Sequence, residues 1–292
     1  MPDDLPLSRE LGALLMELPH RQLVEVMRRS AVGTFEAECR AHLGDNTLGQ
    51  VVESLFPRLP KDRIDGVGRE ISLCAIRNRF WGRLLLGPGR REIQMRCFGD
   101  VAIRQLRERT GPAIVALWHH GAPGMAPLGL QCIGVPSLIV SRSGPSDWLE
   151  RLLSKDMRVI VHDGALVLKE SLDRLKTGGV VAMAIDGGDG KLAIPLSFLG
   201  RRLIFARDIA VLSRLAGAPI FPAIATWGTA DWSLDFRLFD PVATPPVDSM
   251  TPDAWERETV AATVRRFEAI VRATPGQCRL DILGQLMKAP AI

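Results

Sequence analysis

Two adjacent histidines, His119 and His120, close an apolar run over residues 113–118 and are followed by Gly121-Ala122-Pro123-Gly124. Imidazole is the side chain suited to taking and returning a proton near neutral pH, and a carboxylate beside it sets its tautomer and stabilises its charged form. Acids in comparable settings are Asp186 and Asp189, in the stretch Asp186-Gly187-Gly188-Asp189-Gly190 that follows the apolar run 180–185, and Asp163, which follows His162. Arg142 ends a further short apolar segment, 137–141. Taken singly, a histidine at a strand end also serves as an ordinary hydrogen-bonding residue, and aspartate before glycines makes an ordinary turn. The glycine-rich run has neither P-loop spacing nor a dinucleotide fingerprint, so phosphate cradling of those two kinds is excluded.

Such residues act only where a scaffold brings them together, and the chain after Gly111-Pro112 alternates the two patterns that such a scaffold needs. Apolar runs read as strands at 113–118, 137–141, 159–162, 180–185, 220–226 and 234–239. Helical periodicity falls at 125–133, 148–155, 166–176 and 209–216, and a long helix follows at 252–273. Strands separated by helices imply an α/β fold, with a mostly parallel central sheet flanked by helices and its site at the carboxyl ends of the strands. His119, His120, Arg142, His162 and Asp186 all fall at such ends, and that convergence argues for a cleft. Earlier in the chain the pattern is helical, at 10–18, 22–29, 34–43, 48–56 and 71–86. The expected division is a helical N-terminal segment packed on the core, residues 1–108, and an α/β core, residues 109–292.

Composition limits the classes of partner. A chain of 292 residues with 47% hydrophobic and 24% charged residues can bury a large core. Its net charge of +4 is small but unevenly placed: between Arg77 and Arg109 nine arginines face only Glu92, Asp100 and Glu108. That stripe suits an anionic lipid surface or an acidic carrier protein, or else is a plain solvated face. Nucleic acid is set aside, because zinc-ligand spacing and RNA-binding aromatic signatures are missing and the chain has no tyrosine. The cysteines Cys39, Cys74, Cys97, Cys132 and Cys278 stand singly, as expected of reduced thiols and not of disulfides or a cysteine metal site. With no signal-peptide pattern and no long apolar window, the expected location is cytoplasmic, with the inner face of the cell membrane as the alternative. Helix 71–86 sets Phe80, Trp81, Leu84 and Leu85 beside Arg77, Arg79 and Arg83, a pattern that fits either a membrane interface or ordinary core packing.

Four blocks in order resemble the lysophospholipid acyltransferase superfamily over residues 110–287, and most closely its branch of late acyltransferases of lipid A biosynthesis. They are His119-x-Gly121 after a strand; the strand ending at Arg142 with Trp148 behind it; Asp186-Gly187-Gly188-Asp189-Gly190 with Ile194-Pro195-Leu196-Ser197-Phe198-Leu199-Gly200; and Gly217-Ala218-Pro219-Ile220-Phe221-Pro222. The resemblance implies transfer of an acyl group from an acyl-carrier-protein or acyl-CoA thioester to a hydroxyl or amine of a lipid or small-molecule acceptor. It implies no metal, no other cofactor and no covalent intermediate. In that family a histidine is the general base and an acid five residues on orients it; the Gly121 anchor aligns His119 with the base. Asp186, Gly187, Gly188 and Asp189 map to the block that meets the acceptor's polar or phosphorylated head, with Arg142 and Arg207 as the expected anion contacts. Arg201 and Arg202 are placed to face a carrier protein or lipid phosphates.

The chain departs from this pattern at the acid. Five residues beyond His119 stands Gly124, five beyond His120 stands Met125, and Pro123 alters the intervening turn. Three explanations stay open. His119 or His120 is oriented by a carboxylate from another loop, Asp186 or Asp189 ahead of Asp163; or a base without an acid serves an undemanding acceptor; or the fold has lost catalysis and is a lipid- or partner-binding module. The first expects an imidazole within about 2.6 to 3.2 Å of a carboxylate. The last expects both histidines capped by backbone carbonyls.

Overall fold

The structure, a computed structural model, describes residues 37–86, 94–141, 152–161, 164–186, 193–228 and 233–291. The helical readings at 10–18 and 22–29, residues 148–151 of the reading at 148–155, and Arg142, His162, Asp163, Gly187, Gly188 and Asp189 lie outside these residues. Residues 37–43 are helical. Helix α1 (Leu48–Leu55) then starts from a capping box, in which the Gln50 amide N–H donates to the Thr47 hydroxyl and the Thr47 amide to the Gln50 side chain. There follow α2 (Lys61–Leu86), β1 (Gln94–Phe98), α3 (Asp100–Glu108), β2 (Ala113–Gly121), α4 (Ala126–Cys132) and β3 (Ser137–Ser141). Next come β4 (Arg158–Val161), α5 (Gly164–Lys176), β5 (Val180–Ala184), β6 (Ile194–Phe198), β7 (Arg201–Phe205) and α6 (Asp208–Ala216). The chain closes with β8 (Ile220–Trp227), β9 (Ser233–Leu238), α7 (Pro252–Ala273) and α8 (Leu280–Lys288).

Among the described residues, seven strands form one sheet in the order β1-β9-β8-β2-β5-β3-β4, and β6 and β7 form a separate hairpin. Strands β8, β2, β5, β3 and β4 run parallel, while β9 is antiparallel to β8 and carries β1 beside it. The mostly parallel α/β sheet flanked by helices, expected from the alternation of patterns, is present. The central strands are apolar on both faces because both are covered. In β2, Ile114, Ala116 and Trp118 pack on the side of α1, α6, α7 and α8, whereas Ala113 and Val115 pack on the side of α3 and α4. In β5, Val181 and Met183 take the first side, as does Ile185 just beyond it, and Val180 and Ala182 take the second.

Three strands, β1, β6 and β7, were not legible beforehand. Strand β1 falls in a region read as helical; it is short, half-exposed and at the sheet's edge, so its residues lack the apolar run that marks a buried strand. The hairpin β6-β7 lies partly under the third sequence block. Its two-residue turn, Leu199-Gly200, has φ of 51° and 74°, a pair of left-handed residues of the kind that matches strand twist. Leucine there costs on the order of 1 kcal/mol, which burial of its side chain offsets. The helix read at 71–86 begins earlier, at Lys61, and its Val67, Ile71 and Cys74 are buried in the core, so this part of its apolar face is already used.

The hairpin brings Phe198 and Phe205 onto Trp118, with ring centroids at 4.7 and 5.8 Å, and Phe267 of α7 completes the cluster at 5.5 Å. This aromatic knot anchors the residue immediately before His119. Trp118→Ala should therefore destabilise the fold by about 3 to 5 kcal/mol in denaturant unfolding, the range for losing a fully buried large aromatic side chain.

Candidate active site

Strand register brings His119 and Asp186 together. Strands β2 and β5 pair in parallel with Leu117 opposite Ala184. Two residues further along each strand stand His119 and Asp186, on the same face because side chains alternate. The Ile185 amide donates to the Leu117 carbonyl at 3.0 Å, and the His119 amide donates to Asp186 Oδ2 at 2.9 Å, so the carboxylate extends the ladder by one rung. Its other oxygen, Oδ1, accepts from His119 Nδ1 at 2.6 Å. A carboxylate acceptor at this nitrogen places the proton on Nδ1 and leaves Nε2 as the basic nitrogen. The acid side chain is 4% exposed and the imidazole 42% exposed, so the orienting group is sheltered and the ring reaches solvent.

The same alternation separates the two histidines. His120 follows Trp118 to the opposite side of the sheet, is 1% exposed, and donates from Nε2 to the Thr274 hydroxyl at 2.8 Å. That hydroxyl donates to the Ile270 carbonyl at 2.9 Å, which leaves it as an acceptor toward the ring. His120, read from sequence as an alternative base, is thus turned into the core at the end of α7 and bonded to Thr274.

The two rings are tuned in opposite directions. Burial works against the charged form of His119, but the hydrogen bond and the negative charge of Asp186 outweigh it and raise its pKa above the ordinary 6.5. Arg279 opposes and Asp281 reinforces that rise; the two form a pair at 2.7 and 3.0 Å. Burial drives His120 down to about 4, with the bond to Thr274 only partly opposing it.

Backbone geometry at the strand's end is unusual. The register between β2 and β8 shifts between Leu117 and Gly121, and Gly121 takes a φ of 65°. A Cβ there would lie 2.6 Å from the Ala225 carbonyl oxygen, so only glycine fits. The Gly121 carbonyl accepts from Asn78 Nδ2 of α2 at 2.6 Å, and Trp227 Nε1 donates to Asn78 Oδ1 at 3.0 Å.

The remaining sequence-read residues divide. Arg142, Gly187, Gly188 and Asp189 lie outside the described residues. Arg207, expected to meet a substrate anion, is instead held by Glu256 through Nε and by Asp253 through Nη1 at 2.7 Å, and Glu256 also takes Arg214 at 2.8 Å. Its charge is spent on tying α6 to α7, because the buried Glu256 needs cations close by. Arg201 donates to the Ser54 hydroxyl at 3.2 Å, while Arg202 is exposed. The sequence reading missed Asn78, Trp227, Thr274, Arg279 and Asp281. Each comes from a segment distant from His119 in the chain, and no spacing rule connects them to it.

No protein-family model matches the chain, and no curated protein matches it. Among solved structures it is similar to the 1-acyl-sn-glycerophosphate (LPA) acyltransferase PlsC from Thermotoga maritima, at 15% identity and a TM-score of 0.40, over 91% of this chain and 99% of that one.

The opposed tuning has a measurable consequence for stability. Because His120 has a folded-state pKa near 4 against 6.5 for a free histidine, the stability it contributes is complete above pH 6.5 and is lost as pH falls toward 4. The loss should be on the order of 3 kcal/mol and should largely vanish in His120→Phe, as read by urea unfolding at pH 7, 5.5 and 4.5. His119 acts in the opposite sense: what it contributes is present below 6.5 and lost as pH rises through its elevated value.

Proposed function

We propose that this protein transfers an acyl group from an acyl-carrier-protein or acyl-CoA thioester to a hydroxyl or amine of a lipid or small-molecule acceptor, with His119 as general base and Asp186 as its orienting acid. The observation that carries this reading is the 2.6 Å contact between His119 Nδ1 and Asp186 Oδ1, made by a half-exposed ring against a sheltered carboxylate. It supplies from β5 the acid that the family pattern would take from five residues downstream, where this chain has Gly124. A module kept only for binding has no need of an imidazole held in one tautomer by a carboxylate.

In the step proposed, His119 Nε2 accepts the proton of the acceptor's O–H or N–H as that oxygen or nitrogen bonds to the thioester carbonyl carbon. The carbonyl π pair moves onto oxygen, then re-forms the double bond and expels the thiolate, which takes the proton back from the imidazolium. Asp186 stays ionised throughout, holds Nδ1–H and stabilises the imidazolium while it lasts. General-base assistance of this kind is worth roughly 10²- to 10⁴-fold in rate.

The location follows the same reading. Among the described residues no helix is long and apolar enough to cross a membrane. A lipid acceptor would then be met at a membrane surface, and the arginine-rich region from Arg77 to Arg109 is the candidate contact.

Thiol release from acyl-CoA and from acyl-carrier-protein, in the presence of candidate hydroxyl and amine acceptors, tests the proposal. His119→Ala should lose about 10²-fold or more in kcat/KM, Asp186→Asn should lose less, and His120→Phe should retain rate at temperatures where it stays folded. The rate should rise with pH through a value above 6.5, since the neutral ring is the active form, and that limb should move down in Asp186→Asn. A rate indifferent to His119→Ala would overturn the assignment.

A further inference from the structure

We infer that Asn78 is a positioning residue: the side-chain clamp it builds on the Gly121 carbonyl holds the end of β2 in the one backbone arrangement that presents His119 to Asp186. The inference rests on the reading of His119 as the base, and it adds to that reading a residue from α2 that no sequence block contains.

The need for a clamp comes from the sheet. On the β5 side the ladder reaches His119 through the Asp186 carboxylate. On the β8 side the regular register stops at Leu117 and resumes only at Gly121, so Trp118, His119 and His120 lie in an irregular stretch of β2. What fixes that stretch at its far end is the peptide between Gly121 and Ala122. Its N–H donates to the Ala225 carbonyl at 2.7 Å, and its carbonyl points the other way, to Asn78 Nδ2 at 2.6 Å, with the Cys74 thiol also approaching at 3.5 Å. The peptide is thus gripped from β8 on one side and from α2 on the other.

The orientation of the Asn78 amide is determined by its neighbours. Trp227 Nε1 can only donate, so the atom 3.0 Å from it is the Asn78 oxygen, and the Asn78 nitrogen must face Gly121. Trp227 is itself fixed: its amide donates to Gln277 Oε1 at 3.1 Å, and its carbonyl accepts from Gln277 Nε2 at 3.4 Å. A chain of donors and acceptors therefore runs from the segment after α7, through Trp227 and Asn78, to the peptide two residues beyond His119. Each nitrogen in it donates and each oxygen accepts, so the two side-chain amides are fixed in one orientation.

The test reads His119 directly. Histidine-labelled protein is titrated by NMR for wild type, Asn78→Ala, Asn78→Asp, Trp227→Phe and the double variant Asn78→Ala with Trp227→Phe, with Tm recorded for each and kcat and KM measured in the thiol-release assay. In Asn78→Ala the His119 pKa should fall toward 6.5, the His120 signal should stay untitrated above pH 5, and kcat should drop about 10- to 100-fold with KM within about 3-fold of wild type. Asn78→Asp should behave like the alanine variant at pH 8, where a carboxylate meets the carbonyl oxygen, and recover in part when protonated. Trp227→Phe should give a smaller effect that is not added to that of Asn78→Ala, since both act through the same carbonyl. A fall in Tm with the His119 titration and kcat unchanged would make the contact structural only and overturn the inference, as would fully additive effects of the two substitutions. Absence of thiol release in the wild type would remove the acyl-transfer reading, while the titration would still decide whether the clamp holds the dyad.

Discussion

The site depends first on the parallel pairing of β2 with β5. Their register is set well inside the sheet, where Ala113 to Leu117 face Val180 to Ala184 and nearly every side chain is buried. A slip of one residue would turn each strand's core side chains to the wrong face, so the alignment is strongly specified. Everything at the rim inherits it. His119 and Asp186 meet because each lies two residues past the last regular pair, and His120 is excluded because it lies three past.

Above that ladder the backbone stops being regular, and side chains take over the positioning. Trp118 is locked by three aromatic rings, His120 by Thr274, and the Gly121 carbonyl by Asn78. These anchors come from the β6-β7 hairpin, α7, the segment after α7, and α2, so the irregular stretch is a meeting point of elements from the whole chain. The backbone that carries His119 is thereby fixed on both sides of it, while the ring itself is held by Asp186.

How much of this the sequence discloses follows from the range of the interactions. Apolar runs report burial on both faces, so β2, β3, β5 and β8 were legible, and with them the α/β class and the strand-end location of His119, His120 and Asp186. Asp186 was legible as one of three candidate acids, but that it meets His119 became visible only from the register. Which histidine meets Asp186 was a question of parity, and parity counts from a register that one strand alone does not display. The pairing of Arg207 was not legible, because a guanidinium after a strand reads the same whether it awaits a substrate or a buried glutamate, and Glu256 lies in a different helix. Strand β1 lacked an apolar run because an edge strand does not need one.

The source of the acid has a mechanical consequence. When base and acid share one loop, as the resemblance implies for the family, any shift of that loop carries both, and their contact survives while their aim changes. Here His119 belongs to β2 and Asp186 follows the end of β5, so their contact itself reports whether the two strand ends keep their alignment. The turn Ala122-Pro123-Gly124 is released from supplying a carboxylate, and it leads instead through a short 3-10 turn into α4. A dyad split between neighbouring strands gains rigidity from the most buried part of the sheet. It gives up tolerance at the strand's end, where a glycine with no room for a side chain and a single asparagine amide must hold the geometry that a continuous loop would otherwise supply.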